Sequence, residues 1–182
     1  MRRIVPETPF HAVIGRDFGG QVDQAASWLA GVYDDGAKEF DVTALFVEMV
    51  AFEINSDQWR LTGMTFKMPV GELLADLEDS LGEYEGVGAD EFVLTGMEDL
   101  QAAFEQACEA DLFTSEAPED QQRLEAMGVA FGLITVRMAG LIAAAHREAG
   151  RRGHAVGRVH VFAKTYDSTM PPVCCFPSNW RD

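Results

Sequence analysis

The sequence predicts an α+β fold in which a small, mainly antiparallel sheet packs against helices. Residues 157–166 (GRVHVFAKTY) alternate between apolar and polar side chains, which is typical of a half-buried strand. Apolar residues recur at helical spacing over 21–33, which predicts a helix. Residues 118–149 begin with a proline, end beside Gly150 and are mostly apolar, which predicts one long central helix stopped by that glycine.

The remaining elements follow from local patterns. Residues 39–54 fit either a strand or a helix, but the turn-forming NSDQ at 55–58 separates them from an alternating segment, WRLTGMTFKM. We therefore favour a β-hairpin with its turn at 55–58. Leucines align over 69–81 as on a short helix. A second helix is expected after a short strand in EFVLT, because Thr95 and Glu98 have the spacing of a capping box.

Length and composition indicate one folded unit. The chain has 182 residues, of which 47% are hydrophobic, and these values predict a single globular domain over 1–182. Residues 1–3 resemble the start of a signal peptide, but Pro6 and Glu7 occupy positions at which a signal peptide is apolar, so we expect a cytoplasmic protein.

The chain has three cysteines, Cys108, Cys174 and Cys175. Because this number is odd and small, the sequence predicts no disulfide framework.

The net charge of −16 is concentrated in one part of the chain. Residues 68–122 contain sixteen acids without a lysine or arginine, whereas the fourteen acids elsewhere balance the fourteen bases. We expect no nucleic-acid partner, because binding a phosphate backbone needs clustered bases. A basic protein partner is favoured. The alternative is that the acids serve solubility alone.

The acidic region at 68–122 gives the first functional hypothesis. The chain would be a non-catalytic protein that docks on a basic partner, as inhibitors and immunity-type proteins do. Exposed charges steer an encounter but add little affinity, so an aromatic or aliphatic anchor is needed. An acidic, glycine-containing loop offers both kinds of residue. The candidate contacts are Glu83, Tyr84, Glu85, Asp90 and Glu91, with Tyr84 as the anchor.

The long apolar segment gives a second hypothesis. Residues 126–145 carry one charge, Arg137, and are long enough to span a membrane. Because Arg137 lies near the centre and both ends are polar, we expect no membrane span. We expect a core helix that the rest of the domain covers on most sides; the alternatives are one unbroken helix and a helix with a break near Gly128 or Gly140. Its small residues could alternatively form the interface of a homodimer, which would make the chain a homo-oligomeric structural protein.

A third hypothesis is a small enzyme with a pocket near Arg137 and His160. An arginine among apolar neighbours needs a carboxylate partner or a route to water, and it could anchor an anionic substrate. His160 lies on the strand predicted at 157–166. The alternatives for Arg137 are a structural ion pair and a side chain that extends to the surface.

The sequence does not contain the known motifs for binding a dinucleotide or a zinc ion. The segment VIGRDFGGQ at 13–21 overlaps the end of an expected short strand at 9–15, and its glycines are spaced Gly15-x-x-x-Gly19-Gly20. Dinucleotide folds use G-x-G-x-x-G instead, so we interpret this segment as a turn between a strand and a helix. His146, His154 and His160 are spaced eight and six residues apart, unlike zinc ligands. No known catalytic motif is present either, and we expect no cofactor and no metal.

Overall fold

The computed structural model describes residues 18–50, 59–67, 87–88, 91–110, 114–165 and 173–175. The described residues form three helices and six strands, and the predicted α+β fold is confirmed. In chain order these are α1 (Val22–Gly36), β1 (Ala44–Val50), β2 (Trp59–Phe66), β3 (Val87–Gly88), β4 (Phe92–Leu94), α2 (Glu98–Glu109), α3 (Pro118–Arg151), β5 (His160–Thr165) and β6 (Val173–Cys175). The strand predicted at 9–15, the turn at 55–58 and the helix at 69–81 lie outside the described residues.

The sheet has the order β3-β2-β1-β5-β6, and β4 also pairs with β2. β1 and β2 are antiparallel, as the predicted hairpin requires, and their register places Ala44 opposite Phe66 and Val50 opposite Arg60. β1 and β5 are parallel, whereas the other four pairings are antiparallel. The sheet is therefore mixed but mainly antiparallel.

The core lies between one face of this sheet and the helices α1 and α3. Leu45, Val47 and Met49 alternate along β1 toward that face and belong to the same apolar cluster as both helices. α1 lies close to β2 at Gly63, where an added Cβ would come within 2.8 Å of Val32 Cγ2. A glycine at this position therefore permits the close approach of helix and sheet.

The prediction of a capping box at the start of α2 is wrong. A capping box places Thr at the residue before the helix and Glu three residues later, but α2 begins at Glu98, and its preceding residue is Met97. Thr95 is used elsewhere: its N–H donates to Gln21 Oε1 at 3.0 Å, and Gln21 Nε2 donates to the Thr95 carbonyl at 3.3 Å. These bonds connect the start of α1 to the end of β4.

α3 does not stop at Gly150, where the sequence analysis predicted its C-terminal end. The helix ends at Arg151, and Gly153 adopts the left-handed conformation with φ of 84°. The His154 N–H donates to the Ala149 carbonyl, and the Gly153 N–H donates to the Gly150 carbonyl, both at 3.0 Å. This is a Schellman motif, which satisfies the last carbonyls of the helix. Gly150 itself lies against Gly157, where an added Cβ would collide with the Gly150 backbone.

α3 is one continuous helix of 34 residues, which confirms the predicted long helix; it has no break at Gly128 or Gly140. By length and composition it is the one described helix that could cross a membrane, a property it shares with core helices of soluble proteins. Only 39% of its most apolar 18 residues are buried. The other residues of this window are half-buried or exposed, and the exposed ones include Val129 and Val136.

Candidate functional site

The acidic region is exposed wherever the structure describes it. Of its eight described acids, six are exposed and two are half-buried. They lie before β4, along α2 and around the start of α3, at positions Glu91, Glu98, Asp99, Glu105, Glu109, Glu116, Glu119 and Asp120. This surface is consequently negative without a base from the same stretch to balance it.

Glu91 is the one predicted contact residue within the described ranges. It precedes β4 on the side of β2 that faces away from β1, where β3 also pairs. Its carboxylate Oε1 lies 3.0 Å from Arg60 Nε, and half of its side chain is exposed. A partly exposed ion pair of this kind adds little stability, and it leaves the carboxylate at the surface. Glu83, Tyr84, Glu85 and Asp90 lie outside the described residues.

Two consecutive side-chain hydrogen bonds, which the sequence analysis missed, attach α2 to the sheet. Trp59 Nε1 donates to Gln101 Oε1 at 3.0 Å, and Gln101 Nε2 donates to Glu105 Oε1 at 3.0 Å. Trp59 and Gln101 are 1% and 2% exposed. Burial of an indole N–H requires an acceptor, so this pair orients α2 as well as attaching it. The sequence signal for this contact was a glutamine, Gln101, between two apolar turns of a helix. Its partner could not be identified from a local pattern, because Trp59 lies 42 residues earlier in the chain.

Arg137 is half-buried and lines a cleft of about 330 Å³ beside α3. The rest of the lining is mostly apolar and comes from the start of α1 and from α3: Phe18, Gly19, Val22, Val136, Gly140, Leu141 and Ala144. His160 is not among the described residues that line this cleft. The cleft therefore combines one cation with apolar walls, and the structure does not bring the two predicted pocket residues together in it.

His160 lies at the start of β5 and is half-buried. Its ring stacks on Phe162 two residues later, with centroids 6.2 Å apart and planes inclined by 11°. Burial lowers the pKa of His160. The imidazole is thus stabilised in its neutral form on the sheet, away from the cleft at Arg137.

His146 is the most buried of the described histidines, at 2% exposure, and no structural role was predicted for it. Its Nε2–H donates to the carbonyls of Val156 and Val159, at 3.0 Å and 3.1 Å. Because both partners are acceptors, the proton of the neutral ring must be on Nε2. Burial lowers the pKa of His146, and the two backbone hydrogen bonds oppose that shift. The side chain holds the 155–159 segment against α3.

Charges at the C-terminal end of α3 are paired within the chain. Glu148 accepts hydrogen bonds from Arg151 at 2.6 and 2.7 Å and from Arg152 at 2.7 Å, and these arginines lower its pKa to about 2. Arg152 also pairs with Asp23 at 2.5 Å, so the end of α3 is connected to the first turn of α1. Among the described residues, no three histidine, cysteine or acidic side chains could hold a metal ion together.

Comparison of the chain with protein-family models, with characterised proteins and with solved structures found no match.

Proposed function

We propose that this chain is a non-catalytic protein that docks on the basic surface of another protein through its acidic region. One observation carries the proposal: residues 68–122 hold the whole net charge of −16, and each described acid in them is exposed or half-buried. A one-signed surface of this kind raises the rate of encounter with a surface of the opposite charge.

The fold supports docking because it presents part of this surface on a rigid element. α2 carries four of the described acids, and the Trp59–Gln101 hydrogen bond holds that helix in a fixed orientation. Binding to preorganised charges costs less conformational entropy than binding to mobile ones. We assign the contacts to Glu83, Glu85, Asp90 and Glu91, with Tyr84 as the anchor that supplies affinity.

The enzyme hypothesis receives less support from the geometry. A pocket enzyme needs reactive groups within hydrogen-bond reach of one substrate position. The cleft at Arg137 is mostly apolar among the residues described for it, and His160 lies elsewhere.

The test is capture of partners from a lysate of the native host, followed by purification of each captured protein and measurement of its affinity. The first variant reverses four charges, Glu83, Glu85, Asp90 and Glu91, to lysine. The matched control reverses four exposed acids outside the acidic region, Asp34, Asp35, Glu39 and Asp41, and therefore changes the net charge equally. A third variant, Tyr84→Ala, removes the anchor without changing the charge.

We expect a basic partner whose affinity falls at least 100-fold in the first variant and less than 10-fold in the control. Raising the salt concentration should slow association, because exposed charges are screened. Tyr84→Ala should accelerate dissociation. Equal losses in both reversals would show that bulk charge rather than the 83–91 loop determines binding. Unchanged affinity in the first variant would contradict the proposal.

A further inference from the structure

The outward face of α3 is apolar and exposed. Val129 and Val136 are 64% and 63% exposed, and of the described large hydrophobic residues only Val93, at 39%, is exposed as well. Gly132 and Gly140 lie on the same face, and an added Cβ at either position would meet nothing within 4 Å. Isolated exposed valines are ordinary, but a continuous apolar stripe on one helix indicates a surface that binds something.

This outward face is the stripe formed by Glu125, Val129, Gly132, Val136, Gly140, Ala143 and Arg147. The intervals between these positions are four, three, four, four, three and four residues, so the stripe is symmetric about Val136. At about 100° per residue, all seven positions lie within roughly 40° of Val136 around the helix. The stripe therefore runs along one side of α3 for about six turns. Within it Gly132 and Ala143 are half-buried, Ala143 also packs against the core, and Val136 and Gly140 border the cleft at Arg137.

The charges at the two ends of the face are complementary. Glu125 and Arg147 are both exposed, and each lies eleven residues from Val136. A second copy of the helix placed antiparallel, with Val136 on the two-fold axis, would bring each Glu125 opposite Arg147 of the partner subunit. It would also place Gly132 opposite Gly140 of the partner subunit. The glycines allow the two helix backbones to approach closely, and the charge pairs fix the antiparallel direction.

We propose that the outward face of α3 binds a second copy of this chain, in an antiparallel two-fold dimer centred on Val136. The acidic region at 68–122 does not take part in this contact, and so the inference is independent of the docking function. The face is about 33 Å long and about 10 Å wide, which buries roughly 300–350 Å² per copy. This area is below that of a standard stable interface, and the dimer forms at micromolar rather than nanomolar concentration.

Sedimentation equilibrium of the full chain between about 5 and 500 μM tests the dimer at moderate salt, since the net charge of −16 repels a second copy when screening is weak. We expect the average mass to rise from the monomer value of 20.0 kDa toward twice that value. Val136→Glu places two like charges on the axis and should leave a monomer. Val93→Glu, an exposed hydrophobic on β4, is the matched control and should dimerise as the unaltered chain does.

A charge swap tests the antiparallel direction. Glu125→Arg or Arg147→Glu alone creates two like-charge contacts and should weaken dimerisation at least 10-fold. The double variant restores both pairs and should recover dimerisation. In a parallel dimer each of these positions would face its own copy, so neither single variant would weaken dimerisation; that result would contradict the antiparallel arrangement.

Three results would overturn the proposal. The first is an unaltered chain that stays monomeric at 500 μM. The second is a Val136→Glu variant that dimerises as strongly as the Val93→Glu control. The third is binding of the monomer to neutral phosphatidylcholine vesicles that Val136→Glu abolishes, since this would assign the face to a lipid surface. Circular dichroism and thermal unfolding of each variant separate these results from misfolding.

Discussion

The two faces of α3 have similar residue types but different surroundings. The inner face packs on α1 and the sheet, and its buried residues include Ile134, Met138, Leu141, Ile142 and Ala145. The outward face carries Val129 and Val136, which remain more than 60% exposed. A helix that is apolar on all sides has to be covered on all sides to be stable in water. The comparison indicates that the fold of one chain covers only the inner face.

The largest expected difference between the two faces is the response to shortening a side chain. Met138 is fully buried, and Met138→Ala should lower the free energy of unfolding by about 2–5 kcal/mol, because it removes apolar contacts and leaves a cavity. Val136→Ala on the outward face should change it by less than about 0.5 kcal/mol. Chemical denaturation at low micromolar concentration measures both values. Equal losses would show that the two faces are equally covered.

Glycine substitutions should have opposite effects on the two sides of the helix. Gly157→Ala forces a Cβ against the Gly150 backbone, and we expect a loss of about 1–3 kcal/mol in the free energy of unfolding. Gly140→Ala meets open space and should stabilise the monomer by up to about 1 kcal/mol through higher helix propensity.

The same Gly140→Ala variant should dimerise less strongly, because the added methyl group separates the two helices. Thermal unfolding at low concentration and sedimentation at high concentration measure the two effects separately. A variant that is more stable and also dimerises more strongly would contradict the proposed packing.

The smallest expected effect concerns His146 on the covered side of α3. Burial lowers its pKa below the ordinary value of 6.5, so the unfolded chain binds a proton more readily than the folded chain. The His146 contribution to the free energy of unfolding should therefore decrease as the pH falls through 6.5 toward the lower folded-state pKa. Each unit of pKa difference corresponds to about 1.4 kcal/mol.

Denaturation at pH 7.5 and at pH 5.5 measures this dependence. His146→Gln keeps a side-chain N–H donor and should reduce the difference between the two pH values. The matched control is Gln106→Asn, a change at an exposed side chain that does not titrate, which should retain the dependence of the unaltered chain. A pH dependence that survives His146→Gln unchanged would show that other groups cause it.

The sequence predicted those elements whose pattern is local. α1, α3 and β5 were found from periodicity, and the β1–β2 pairing followed from two apolar segments around a turn signal. The parallel pairing of β1 with β5 was not predicted, because it joins segments separated by more than a hundred residues and leaves no local pattern. The sequence predicted Gly150 as the stop of α3, and only the backbone conformation identifies Gly153 instead.

The candidate surfaces were predicted less well. The acidic region is evident from composition, but the residues that orient α2 were missed because Trp59 and Gln101 meet only in the folded chain. The symmetry of the outward face is present in the spacing from Glu125 to Arg147. It has meaning only once the structure shows which side of α3 the core leaves exposed.

The most direct test of the central claim is a distance measurement across the proposed dimer. Gln121 is exposed and lies fifteen residues from Val136, so spin labels on a Gln121→Cys variant should be about 45 Å apart in the antiparallel arrangement. Cys108, Cys174 and Cys175 are replaced by serine in this variant, so that each chain carries a single label. An antiparallel dimer should give a distance distribution near 45 Å at high protein concentration, and Val136→Glu should abolish it. A distance below about 20 Å would indicate parallel helices, and no dipolar signal would indicate a monomer; either result would contradict the account.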